Sequence, residues 1–162
     1  MTTSKFIAAI GATMVLAASA GAQTVQSSAG ARIVAPLQVS NQTALYFGTI
    51  APSVDSADTV LVAASGARTC GDALTCLTSD HTAAAFQVTG DPNRSYTIEL
   101  PTSIDISSGD DSMTVDNFAG SKASGTLVAG QDSFAVGGRL NVGANQASGE
   151  YTGAFTVSVN YQ

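Results

Sequence analysis

Apolar and polar positions follow two different rules along this chain. Residues 6–18 form a nearly unbroken apolar run of Phe, Ile, Ala, Val, Leu and Met. From about residue 24 onward, short stretches of alternating character recur between clusters of Gly, Asp, Asn and Ser, and none repeats with a helical period. Period-two alternation puts every second side chain on one face, as a half-buried strand requires. Short strands punctuated by turn residues predict an antiparallel all-β domain. Abundant Gly, Ser, Thr, Ala and Val, with scarce Lys and Glu, weaken the helical alternative.

The first predicted strand is long, 24–39, with Val25, Ala29, Ala31, Ile33, Ala35, Leu37 and Val39 on one face and Ser27 as its polar interruption. Pro36 cannot donate to a ladder, so this strand lies at an edge, bends, or changes partners there. Residues 45–50 predict a second strand, stopped by Pro52, and 59–64 a third. Residues 84–89 and 96–100 flank Gly90-Asp91-Pro92-Asn93. Pro presets one turn dihedral there and Asn tolerates positive φ, which predicts a hairpin. Residues 103–112 read as a Ser/Gly/Asp-rich loop, 113–118 and 126–129 as weaker strands, and 134–142 as a stronger one bulged or bent at Gly137-Gly138. The last strand spans 151–161, and Tyr151, Phe155, Val157, Val159 and Tyr161 are expected to anchor the core from it.

The opening apolar run changes the picture by setting a compartment. Lys5 supplies a positive start, and Ala20-Gly21-Ala22 places small side chains where a signal peptidase requires them. Cleavage is expected before Gln23, with Ala18-Ser19-Ala20 as the alternative site. The run is shorter than the roughly 20 apolar residues of a membrane span, and no later segment qualifies. The expected organisation is a signal peptide at 1–22, an N-terminal strand or donor extension at 23–33, and one β-sandwich domain at 34–162. The expected location is the periplasm, the cell surface or the extracellular space.

Charge excludes one class of partner. One of the six basic residues, Lys5, lies in the leader; Arg32, Arg68, Arg94, Lys122 and Arg139 are scattered against twelve acidic residues. No basic cluster exists, so nucleic acid is not an expected ligand. Cys70 and Cys76 are the only cysteines, and in an exported chain they are expected to form a disulfide that staples a short loop.

Candidate chemistry is thin. His81 is the only histidine, and no serine sits in a nucleophile-elbow pattern around which a triad could form. Asp105, Asp110 and Asp111 make an oxygen-rich stretch whose spacing does not match a calcium-binding loop. Tyr46, Tyr96, Tyr151 and Tyr161 are candidates for a sugar-stacking platform. Neither an enzyme nor a bound cofactor or metal is expected.

The closing pattern Gly149-x-Tyr151-x-Gly153-x-Phe155-x-Val157-x-Val159-x-Tyr161 resembles the terminal strand of chaperone-usher pilins and spore-coat-U-like subunits, which commonly close on a penultimate tyrosine. Leu45-x-Phe47-Gly48, Ala85-Phe86-x-Val88-x-Gly90, Val136-Gly137-Gly138-x-Leu140 and that terminal strand are together similar to DUF4402, a family of uncharacterised secreted bacterial β-domains, over nearly the whole mature chain. The pilin likeness implies an immunoglobulin-like β-sandwich lacking one strand, whose hydrophobic groove and open sheet edge another chain fills. In such families the N-terminal extension of one subunit supplies the strand to the next. The likeness therefore makes Val25, Ala29, Ala31 and Ile33 candidate donor residues, and copies of the chain or a periplasmic chaperone candidate partners.

Two functional expectations stand side by side at this point. One is a non-enzymatic structural or surface subunit assembling by donor-strand exchange. The other is a self-contained sandwich module that binds an envelope component or a glycan, with residues 23–33 as an ordinary first strand. One departure from the pilin pattern is visible. Many pilins bridge two strands across a long sequence interval, whereas Cys70 and Cys76 close only a short loop.

Overall fold

A computed structural model of the protein describes residues 23–77 and 79–162; the expected signal peptide, 1–22, lies outside the described residues. Among them the chain is all-β, with twelve strands and no helix: β1 Gln38–Thr43, β2 Ile50–Ala51, β3 Asp58–Val62, β4 Arg68–Cys70, β5 Thr75–Cys76, β6 Ala84–Thr89, β7 Ser95–Glu99, β8 Ser103–Ser108, β9 Asp111–Gly120, β10 Ser124–Thr126, β11 Gln131–Val142 and β12 Ser158–Tyr161. Every strand pair is antiparallel. Residues 23–32 hold no strand and are exposed, while Ile33–Gln162 forms a compact unit.

A seven-stranded curled sheet dominates that unit, with β1-β6-β11-β3-β4 in order and the β8–β9 hairpin joined to β11. β9 flanks β11 from Val136 to Leu140, overlapping the stretches paired with both β6 and β3. β6 and β3 therefore meet β11 along its other side, one after the other. The register of β9 on β11 shifts between Gly137 and Arg139, which places the predicted irregularity at the glycine pair. A three-stranded sheet, β10-β7-β12, and a two-stranded one, β2-β5, complete the fold.

Two buried clusters lie along β11. Val60, Val62, Val115, Leu140 and Val142 form the first with Phe47 and Leu74. Ala84, Phe86, Val88, Phe134 and Val136 from the large sheet form the second with Tyr96 from the small one and Leu127. Leu45 and Phe118 pack against both. Among the described residues, valines are six of the fourteen buried core residues, packed with three phenylalanines, one tyrosine, three leucines and one alanine. The stability of this core therefore combines many small contacts with a few large side chains.

Four expectations are corrected. The second strand predicted over 45–50 is reduced to an isolated bridge at Tyr46 and the start of β2 at Ile50. The long first strand is instead only β1, beginning after Pro36; alternation is necessary for a strand but ladder partners decide it, and 24–37 have none. The predicted hairpin across 90–93 does not form, because β6 pairs with β1 and β11 whereas β7 pairs with β10 and β12. The turn's donors are taken by other segments: Gly90 N bonds Gly130 O at 3.0 Å, and Asn93 N bonds Leu127 O at 2.8 Å. The turn therefore carries the chain from one sheet to the other. Finally, 103–112 is a hairpin and not a loop, since Ile104 and Ile106 alternate inward along β8 and Gly109, at φ 62°, turns the chain.

Candidate functional site

The site is an unfinished edge between two sheets. β1 ends the large sheet and β12 the small one, and no described strand pairs the outer side of either. The two run in opposite directions: Leu37, just before β1, and Tyr161, at the end of β12, both approach Gly90. At the other end, Asn41 and Ala44 share a groove with Gly153, Ala154 and Phe155, the residues that lead into β12.

Register shows what this edge lacks. Directly opposed residues of an antiparallel pair project to the same face. Val39 opposes Val88 and Asn41 opposes Phe86, so both β1 residues face the core side. Yet Val88 is 0% exposed and Val39 is 37% exposed. On the other flank Phe155, Val157, Val159 and Tyr161 pack against the second cluster but stay only half-buried. Inward-facing side chains on both flanks are thus only partly covered.

Where the flanks part, they enclose a groove of ≈ 260 Å³. Leu45, Phe47, Ile104, Ile106, Phe118 and Phe155 supply apolar wall, and Asn41 is the one polar side chain of the lining. The Phe155 ring is wedged 4.9 Å from Phe118 and 6.1 Å from Phe86, centroid to centroid. Gly153 has to be glycine for this geometry, because a Cβ there would meet the Asp105 carbonyl and Ile106. That close approach accompanies the bridge in which Ser107 and Thr152 exchange hydrogen bonds of 2.9 and 3.0 Å.

The two edges also lack the guards that sheet edges ordinarily carry. Neither Gln38–Thr43 nor Ser158–Tyr161 contains a charge or a proline, whereas the edge strands β4 and β8 carry Arg68 and Asp105. At the far end the edge is latched. The Tyr161 hydroxyl donates to Ala35 O at 2.9 Å and accepts from Asp91 N at 2.7 Å.

The charged groups act as clamps elsewhere. Tyr96 is fully buried and donates to Asp132 at 2.9 Å, and Lys122 reaches both oxygens of the same carboxylate at 2.9 and 3.0 Å. Burial, with the neighbouring Asp132, raises the Tyr96 pKa. Burial also pushes Asp132 upward, but bonds from Lys122, Ser133 N and Tyr96 outweigh it and the net shift is downward. The forked Arg139 pair holds Asp116 below the usual carboxylate range. Backbone bonds from Ala73 and Thr59 do the same for Asp58, fastening the cysteine loop to β3.

Cys70 and Cys76 are joined, clipping β4 to β5 and holding Leu74 in the first cluster. Val25, Ala29, Ala31 and Ile33 are exposed and in no strand, Val25 at 92% and Ile33 at 95%. Phe155, Val157, Val159 and Tyr161 gather on the second cluster. Tyr151 stands apart, its hydroxyl donating to Ala147 O at 2.8 Å and accepting from Gln146 at 2.9 Å. The four tyrosines make no shared platform, since Tyr96 is buried and the Tyr151 and Tyr161 hydroxyls are engaged within the fold. Asp105 accepts from Thr114 across the β8–β9 hairpin, and no group of three metal-ligating residues occurs among the described residues. Asn41, Leu45, Phe47, Ile104, Ile106 and Phe118 were not anticipated as site residues; the Ile104 and Ile106 alternation was the available signal for two of them.

The family comparison covers this whole arrangement. A domain of unknown function, DUF4402, matches residues 37–161. The chain belongs to the DUF4402 family. No curated protein and no solved structure matches it. The DUF4402 span takes in all twelve strands, both core clusters and the groove, and leaves residues 23–36 outside.

Proposed function

We propose that this DUF4402 protein is an exported, non-enzymatic structural subunit: an immunoglobulin-like, pilin-like β-sandwich that lacks one strand and assembles by donor-strand exchange. The observation that carries the reading is Val39, which faces the core beside fully buried Val88 yet stays 37% exposed at an unguarded edge that leads, past Asn41, into an apolar groove. An inserted strand satisfies both open edges with main-chain hydrogen bonds and covers the inward side chains with its own alternate residues.

Residues 23–33 of another copy suit this role. Val25, Ala29, Ala31 and Ile33 alternate on one face, the segment is exposed and strandless, and residues 23–31 carry no charge into an uncharged groove. At roughly 3.3 Å per residue the segment extends to about 36 Å, longer than the six-residue β1 it would lie beside. Before assembly a periplasmic chaperone lends the strand. The positive start, apolar run and small-residue cleavage site of 1–22 support export to the periplasm and then the cell surface or beyond.

Deletion of residues 23–31 tests the proposal. Light scattering is expected to show multimers for the complete chain and monomers for the shortened one, with the Cys70–Cys76 bond intact in both. Multimers that persist unchanged in the shortened chain overturn donation.

A further inference from the structure

The donor reading leaves register and direction open, and one polar side chain on each side fixes both. The groove lining has a single polar side chain, Asn41, whose amide takes no hydrogen-bond partner among the described residues. From Val25 to Ile33 the core-facing set of the donor segment likewise has a single polar member, Ser27, among Val25, Ala29, Ala31 and Ile33, with Gln23 at the very start of the segment beyond it. We infer that Ser27 of a second copy pairs with Asn41 and thereby sets the register of strand insertion, antiparallel to β1. This rests on the donor-strand reading above.

Direction follows from counting inward positions. From Asn41 the core-facing residues of this edge run back through Val39 to Leu37, and the groove opens the other way, toward Leu45 and Phe47. Antiparallel insertion lays Ala29 and Ala31 over Val39 and Leu37, where the flanks converge and small side chains fit. It sends Val25 into the apolar opening walled by Phe47 and Ile104. Parallel insertion would place Val25 over Val39 and polar Gln23 over Leu37, and would carry Ala29, Ala31 and Ile33 out past the mouth. A one-residue slip in either direction would turn every donor side chain to the wrong face, and a two-residue slip would bury the Asn41 amide against valine or alanine.

The occupant is a second copy for a local reason. Self-insertion in this register requires the chain to reverse within about residues 32–36. Ala35 is held there by the Tyr161 hydroxyl, and Pro36 fixes its own φ.

Three double-cysteine variants of the complete chain, pairing Asn41→Cys with Ser27→Cys, Val25→Cys or Ala29→Cys, test this under mild oxidation. Non-reducing gels and mass spectrometry read the product, and circular dichroism checks the fold. Covalent multimers from the Ser27→Cys pair, at least several-fold above the other two, are the expected result. Multimers formed mainly by another pair overturn the register while donation stands. A crosslink within one chain overturns the second-copy occupant. No crosslink in any pair, with a monomeric complete chain, overturns donation as well. A polarity swap needs no new thiol: Ser27→Val or Asn41→Leu alone is expected to weaken assembly about tenfold, and the two together to recover most of it. Additive losses in the double variant overturn the pairing.

Discussion

Val88 and Val39 sit directly opposite one another on neighbouring strands and face the same way, yet one is sealed and the other is open. Val88 lies where β6 is flanked on both sides, by β1 and β11, and belongs to the same buried cluster as Tyr96 and Leu127. Val39 lies on the last strand of its sheet. The contrast extends along both flanks: residues in the middle of the fold are fully buried, and the β1–β12 edge retains a core-facing surface that is only partly covered. Burial here is decided by where a strand falls in the sheet order rather than by the hydrophobicity of its residues.

The largest test of this contrast makes the same change on both sides. Val88→Ala is expected to cost about 2–3 kcal/mol in urea unfolding, whereas Val39→Ala in the monomer costs about 0.5 kcal/mol. Equal costs would break the comparison. In the assembled state the Val39→Ala cost should rise toward that of Val88→Ala.

Reduction of Cys70–Cys76 probes the sealed side. Its seven-residue loop carries Leu74 into the first cluster and is pinned by Asp58, so reduction is expected to lower stability by roughly 2–2.5 kcal/mol, measured by denaturant midpoint with and without a dithiol. An unchanged midpoint would mean that Leu74 and Asp58 hold the loop without the bond.

At the latched end of the open edge, Tyr161→Phe removes one hydroxyl that serves Ala35 O and Asp91 N. A loss of about 1 kcal/mol is expected, with faster amide exchange at Asp91. Unaltered exchange there would remove the latch from the account.

The smallest effect is acid sensitivity, and it belongs to the sealed side. Asp58, Asp116 and Asp132 have folded pKa values below their ordinary ones, held there by bonded N–H groups, Arg139 and Lys122. A depressed folded pKa stabilises the fold above the unfolded value, near 3.9, and that stability is lost as pH falls through the folded value. Thermal midpoints should therefore hold from neutral pH to about 4 and fall below it. Asp116→Asn should flatten that fall.

Much of the fold was legible from local pattern. The strands at 59–64, 84–89, 96–100 and 134–142 are present with boundaries shifted by a few residues, and the glycine pair at 137–138 marks a register shift. The cysteines are joined. The terminal segment is a strand only from Ser158 to Tyr161, with one isolated bridge at Thr152, although its alternation back to Phe155 holds. Of the groove, the sequence announced Phe155 but none of the residues that face it. Leu45 and Phe47 come from a stretch read as the second strand, Ile104 and Ile106 from one read as a loop, Phe118 from one read as a weak strand, and Asn41 from between predicted strands. The pairing of β9 and β6 with β11 brings the elements that hold Asn41, Ile104, Ile106 and Phe118 into one sheet.

What the sequence by itself determined was the class of fold: period-two alternation, turn residues and a valine-rich, helix-poor composition admit antiparallel β structure and little else. Which strands are neighbours was decided only in three dimensions. Gly90-Asp91-Pro92-Asn93 has the residues of a hairpin turn, but its amides are claimed by Gly130, Leu127 and Tyr161, so it crosses between sheets. The segment 24–37 has the alternation of a strand and no ladder to join. Side-chain periodicity is a property of a segment alone, whereas a backbone N–H or C=O is satisfied only by a partner distant in sequence. The open edge exists for that reason, and no local pattern records it.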